Sequence, residues 1–168
     1  MTELSSEDIL NGLKSKFPAL EIPFAETYGM LTIEVPRENI IEVLRHLKDD
    51  PEMGYSFLTD LCGIHIPADV EKEMGVIYHL HNWQSNRRIR VKTFFKIGDP
   101  SVDSATVLWS GANWMERETY DFYGITFNGH PNMTRILNVD EMDYFPMRKQ
   151  YHLEDATRED KEDKFFGR

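Results

Sequence analysis

Apolar residues recur along the chain in two distinct periods, and the switches between them mark out the elements. After Ser5-Ser6-Glu7-Asp8, the positions Ile9, Leu10, Leu13 and Phe17 fall at helical spacing. This predicts an amphipathic helix with a side-chain cap at its start and Pro18 closing it. A strand near Phe24–Tyr28, a turn at Gly29 and a strand Met30–Val35 follow. In the second strand Leu31, Ile33 and Val35 alternate with Thr32 and Glu34, the period-2 pattern of a half-buried sheet. Pro36 opens a second helix with Glu38 in its first turn and Ile40, Ile41, Val43, Leu44 and Leu47 on its apolar side. Asp49-Asp50-Pro51 ends it. Phe57–Ile66, Gly75–Trp83 and Arg88–Ile97 then read as three strands with short polar links. Such links favour antiparallel neighbours, because a parallel return needs a crossover of about a dozen residues. The expected class is α+β: a largely antiparallel sheet packed by helices in two layers over residues 1–100.

Beyond Pro100 the pattern changes. Val102–Trp109 and Asn113–Tyr123 both read as helices, with Gly124 placed to end the second in a left-handed conformation. Ile125-Thr126-Phe127 and Asn128-Gly129 predict a strand fragment and a tight turn. Residues 101–137 are expected to pack on the same domain. From Asn138 to Arg168 periodicity is lost, while Tyr144, Phe145, Met147, Tyr151, Phe165 and Phe166 persist among charges. Residues 138–168 are therefore expected to form an extended arm that lies on a partner protein.

Composition narrows the functional classes. The 168 residues carry 29 acids against 19 bases, a formal net charge of −10, which opposes nucleic-acid backbones. The one basic cluster, Arg87-Arg88-Ile89-Arg90-Val91-Lys92, alternates with apolar residues and suits a strand with one polar face. No apolar run approaches the ~20 residues of a membrane span, and the first residues lack the basic-then-apolar pattern of a secretory signal. One cysteine, Cys62, leaves no internal disulfide framework and no cluster held by cysteines of this chain alone. A cytoplasmic setting is the expectation.

Candidate chemistry is sparse. His79 and His81 sit two apart on a strand and share a face, the geometry of a two-histidine metal fragment, and with Glu116 they define the hydrolase alternative. Glu116-Arg117-Glu118-Thr119-Tyr120-Asp121 is the densest ionisable cluster. Arg117 reaches Asp121 at i+4 and is expected to hold the neighbouring carboxylates ionised, which suits an ion-paired structural stripe better than proton transfer. No glycine-rich phosphate loop, nucleophile elbow or His-Glu-x-x-His motif occurs.

One stretch is far more specific. Trp114-x-Glu116-Arg117-Glu118-x-x-Asp121-x-x-Gly124-Ile125-x-Phe127-x-Gly129-His130-Pro131, followed by Arg135-Ile136-Leu137, closely resembles the motif of the C-subunit (30 kDa-type) family of bacterial NADH–quinone oxidoreductase, respiratory complex I. Pro146-Met147-Arg148-Lys149-Gln150-Tyr151 resembles a later family segment. Phe145 and His152 depart from it, standing where His and Pro are usual. The resemblance implies a non-catalytic subunit of the proton-pumping enzyme's peripheral arm, on the cytoplasmic side of the inner membrane and in contact with that membrane only through the complex. It implies no cofactor in this chain, with FMN, iron–sulfur clusters and quinone held by partner subunits. The chief partners implied are the subunits of the quinone pocket and terminal cluster. Trp114, Glu116, Arg117, Glu118, Asp121, Gly124 and Gly129 would shape the motif, with His130, Pro131, Arg135, Arg148 and Lys149 toward the partners. A related subunit of a membrane-bound hydrogenase or other donor-fed complex is the nearest alternative.

Overall fold

The computed structural model describes residues 4–151. Helix α1 (Ser6–Lys16) starts on a reciprocal cap: the Asp8 amide donates to Ser5 Oγ, and Asp8 accepts from the Ser5 amide at 2.8 Å. This satisfies two of the amide donors that any helix start leaves unpaired. Strands β1 (Phe24–Thr27) and β2 (Met30–Glu34) form a hairpin. Its two turn residues, Tyr28 and Gly29, have φ of 55° and 70°, the turn whose twist matches paired strands. After Pro36 the chain makes a 3-10 turn, Arg37–Asn39, before α2 (Ile40–Asp49) begins. Ile40, Val43, Leu44 and Leu47 are completely buried. Each such aliphatic contributes roughly 1.5–3 kcal/mol.

Strands β3 (Phe57–His65), β4 (Met74–Asn82) and β5 (Arg87–Phe95) complete a five-stranded sheet of order β1-β2-β5-β4-β3. The polar links do give antiparallel neighbours at β3/β4 and β4/β5. β5 then pairs with β2 in parallel, Ile33 opposite Val91. This join closes across α2 and two strands, a separation that local links do not report.

One face of the sheet is buried under the helices. Ile33, Val76, Tyr78, Leu80, Ile89 and Val91 all lie on it and are fully buried. Helix α3 (Ala112–Tyr123) crosses the β3 side of this face, where the Thr119 and Tyr123 side chains lie against Gly63. A Cβ on Gly63 would stand 2.6 Å from the Tyr123 ring, so the close approach requires glycine there. Val102, Ala105, Leu108, Ala112, Ile125 and Phe127 join the same core cluster.

The expected helix over Val102–Trp109 does not form. Ser101–Asp103 is strand β6, paired in parallel with β7 (Thr126–Asn128), and a 3-10 turn follows at Ala105–Val107. The spacing of Val102, Ala105 and Leu108 suits a helix, but the ladder partner at Thr126–Asn128 is supplied from beyond the distant end of α3. Tertiary pairing overrides local period here.

Candidate functional site

The motif residues gather around the C-terminal half of α3. The helix ends at Gly124, whose φ of 72° is the left-handed conformation expected of a helix-ending glycine. From there the chain runs through β7, turns at Gly129 with φ of 77°, and passes back along α3.

Asp121 is the centre of this return. It is completely buried. Its Oδ2 accepts the amides of Ile136, Leu137 and Asn138 at 3.1, 2.8 and 2.9 Å, and its Oδ1 accepts Arg135 Nη1 at 2.6 Å and Asn138 Nδ2 at 3.0 Å. Burial opposes the charge, but these donors outweigh it and hold the carboxyl well below the usual carboxylate range. The cation is therefore Arg135, and the expected Arg117–Asp121 pair is replaced. Arg117 instead lies over the Trp114 ring at 5.4 Å and donates to the carbonyls of Thr134 and Arg135. Its guanidinium fits two adjacent backbone acceptors better than a buried carboxylate already saturated by amides.

Glu116 also departs from expectation. It faces the core, fully buried, where Oε1 accepts the Ala105 amide at 2.6 Å and Oε2 accepts Ser104 Oγ at 2.7 Å. With no cation paired to it among the described residues, burial raises its pKa to about 7 despite those two donors. It acts as a side-chain cap on the 3-10 turn that stands in place of the predicted helix. Glu118, two residues on, is exposed to solvent, so the two acids do not share a site.

The start of the aromatic segment folds back on its own chain. Arg135 Nη2 donates to the carbonyls of Met142 (2.6 Å) and Tyr144 (3.2 Å), and Arg148 Nε donates to the Tyr123 carbonyl at 2.8 Å. Phe145 lies between the two guanidiniums, 5.2 Å from Arg135 and 4.7 Å from Arg148, with Tyr120 edge-on at 6.1 Å. Such cation–π contacts contribute about 0.5–2 kcal/mol each. Residues 138–151, expected to extend away as the start of a partner-binding arm, pack back on α3 and the end of β3. Residues 152–168, His152 among them, lie outside the described residues.

Arg135 and Arg148, expected to face partners, are committed to internal carbonyls and Phe145. His130 is likewise engaged: Nδ1 accepts the Asn132 amide at 3.0 Å and Nε2 meets the Asn113 carbonyl at 3.2 Å. Pro131, the Lys149 side chain and Trp114 remain exposed. The sequence did not disclose the roles that Ser104, Asn138 and His65 take. His65 is buried, meets Glu73 through Nε2 at 3.2 Å and accepts the Lys149 amide through Nδ1 at 2.9 Å. Nothing local announces a histidine 84 positions away as the clasp for this segment.

His79 and His81 are engaged separately. Arg90 Nε donates to His79 Nε2 at 2.9 Å, whereas His81 meets Asn86 and stacks near Trp83. Among the described residues no three His, Cys, Asp or Glu side chains are grouped to hold a metal ion. Glu116 belongs to the helix-covered side of the sheet, while His79 alternates onto the other face, so the hydrolase trio is not assembled.

What the fold and motif define is a class of small α+β protein whose carboxylates and guanidiniums are spent on backbone groups, freezing an irregular surface loop. Residues 33–157 match the family model of the respiratory-chain NADH dehydrogenase 30 Kd subunit, and the chain belongs to that family. Among its relatives, the NADH-quinone oxidoreductase C-subunit of Citrifermentans bemidjiense is 43% identical over 147 residues, 88% of this chain and 89% of that protein. The same subunit of Geobacter sulfurreducens is 35% identical over 88% of this chain and 90% of its own length. Among solved structures, the trypsin-resistant fragment (1-134) of Nqo5 superposes with a TM-score of 0.63 at 32% identity, covering 74% of this chain and 98% of the fragment. A chain of an archaeal membrane-bound sulfane sulfur reductase superposes with a TM-score of 0.70 at 25% identity over 88% of this chain and 85% of its own.

Proposed function

We propose that the chain is a cofactor-free scaffold subunit in the peripheral arm of a proton-pumping NADH–quinone oxidoreductase. It shapes the contact with the subunits that carry the quinone pocket and the terminal iron–sulfur cluster, while FMN, clusters and quinone are held by its partners. The observation that carries this reading is the use of the motif's charges. Asp121, Arg117 and Arg135 are committed to backbone groups of 134–144, so the motif's charges hold the loop on α3. Family membership and the relatives' names support the assembly. We place the chain on the cytoplasmic face of the inner membrane, attached through other subunits; no helix among the described residues is long and apolar enough to cross a membrane.

The test is to tag the chain, solubilise the membrane gently and identify what co-purifies. The expected outcome is a stoichiometric set of NADH–quinone oxidoreductase subunits whose assembly oxidises NADH. The isolated chain should show no flavin or cluster absorbance. A partnerless chain, or one that turns over a substrate alone, overturns the reading.

A further inference from the structure

The five-stranded sheet has a second face that the helices do not cover. Along β5 the side chains alternate: Ile89 and Val91 are fully buried on the helix side, so Arg88, Arg90 and Lys92 emerge on the other. Successive members of this row are ~6.7 Å apart. In register beside it on β4 stand His81, His79 and Ile77, and on β2 Thr32 and Glu34. Exposed aromatic residues close one end, where Phe57 and Trp83 lie 5.2 Å apart and are 42% and 64% exposed.

The charges of this face are not balanced within the described residues. Glu34 is engaged by Lys72, and Asp60 lies 3.6 Å from His79 Nδ1. Arg90 donates to His79 Nε2, and the Asp60 carboxylate faces it from the other side of the same imidazole. Arg88 and Lys92 have no ion-pair partner among the described residues. Sheet surfaces exposed to water ordinarily place opposite charges across strands. Here three cations line a central strand of a chain whose net charge is −10. Two polar atoms of the face, Thr32 Oγ1 and His79 Nδ1, are also buried without a hydrogen-bond partner. In outline the face measures roughly 600 Å² from strand rise and spacing, close to the ~800 Å² that one partner contributes to a standard interface. Arginine, aromatic and aliphatic side chains together are the composition of a protein interface.

Resting on the assembly reading above, we infer that this open sheet face is a docking surface for an acidic segment of a neighbouring subunit, whose carboxylates pair with Arg88, Arg90 and Lys92 while Phe57 and Trp83 bury apolar side chains. Charge complementarity selects the occupant and its register. A nucleic-acid occupant is disfavoured by the chain's overall negative charge and by a basic row only three residues long.

The experiment compares the full-length chain alone with the same chain in the purified assembly. Acetylation of Lys92 by an N-hydroxysuccinimide ester is expected to slow at least tenfold in the assembly. Zero-length carbodiimide coupling should join Lys92 to an Asp or Glu of another subunit. Equal Lys92 reactivity in both states, or coupling only to acids of residues 152–168 of this same chain, overturns the inference. So does tight binding of a labelled 30-base-pair duplex at physiological salt. The double variant Arg88→Glu/Lys92→Glu should lower co-purification about tenfold, and undiminished co-purification counts against the assignment. Should that variant fail to fold, the acetylation and coupling results on the unaltered chain still decide. Failure of the assembly reading looks different, because the chain would then bring down no respiratory subunits at all.

Discussion

Replacing Glu116 with glutamine tests the electrostatic reading of the motif most directly. The carboxyl is sealed between α3 and the Ser104–Thr106 turn, and burial raises its pKa from 4.5 to about 7. A carboxyl raised in the folded state binds its proton more tightly there than in the unfolded chain. Its contribution to stability is therefore complete below pH 4.5 and lost as pH climbs toward 7. A shift of that size amounts to about 3.4 kcal/mol in all, of which about 2.5 kcal/mol falls between pH 5 and pH 8. Glutamine keeps the shape without the titration: its oxygen accepts the Ala105 amide, and its nitrogen donates to Ser104 Oγ. Urea denaturation of both proteins at half-unit pH steps gives the difference in unfolding free energy, cancelling every other titrating group. That difference should swing by about 2.5 kcal/mol in favour of the Glu116→Gln protein as pH rises from 5 to 8. In thermal melts this is a relative gain of roughly 5–10 °C. Parallel pH profiles would refute the reasoning. A swing of opposite sign would mean that the carboxylate is held ionised, as a nearby Arg117 was expected to do.

The other predictions concern the loop on α3. Asp121→Asn strips a buried charge from five donors and leaves Arg135 without its anion, so unfolding at neutral pH should become easier by about 3–5 kcal/mol. Because Asp121 titrates below the usual range, that penalty should shrink as pH falls below about 4, and a loss under about 1 kcal/mol at pH 7 would contradict the assignment. Gly124→Ala places a Cβ 2.5 Å from the Phe145 ring and 2.7 Å from Arg148 Nη2, on a residue with φ of 72°. It should release 142–151 and accelerate tryptic cleavage after Arg148, with an unchanged digestion rate as the refuting result. Arg117→Ala leaves the Thr134 and Arg135 carbonyls without their donor, at about 1–3 kcal/mol. Amide exchange over 130–138 should rise while the Asp121–Arg135 pair persists, and uniform loss of protection across the chain would show that the pair had broken too.

The elements of the first hundred residues were legible because each follows from local rules. The Ser5–Asp8 cap, the Tyr28-Gly29 turn, the alternation of β2 and β5 and the apolar stripe of α2 all act within a few residues. Residue types and spacing also carried the motif, whose family resemblance agrees with the matched relatives. What spacing did not carry was partner choice. Arg117 stands four residues before Asp121 and is its nearest cation by helical spacing. Yet the carboxylate took three amides of 136–138 and Arg135, contacts that exist only once the chain has turned at Gly129. Glu116 reads as a member of a charged stripe, but the helix rotates it into the core, where desolvation governs its proton. The Val102–Trp109 period lost to a parallel pairing with Thr126–Asn128, and a tail segment without periodicity was clasped by His65 at the end of β3. Local chemistry sets which conformations each segment prefers, whereas burial and hydrogen-bond saturation, which decide where a charge goes, are properties of the assembled chain.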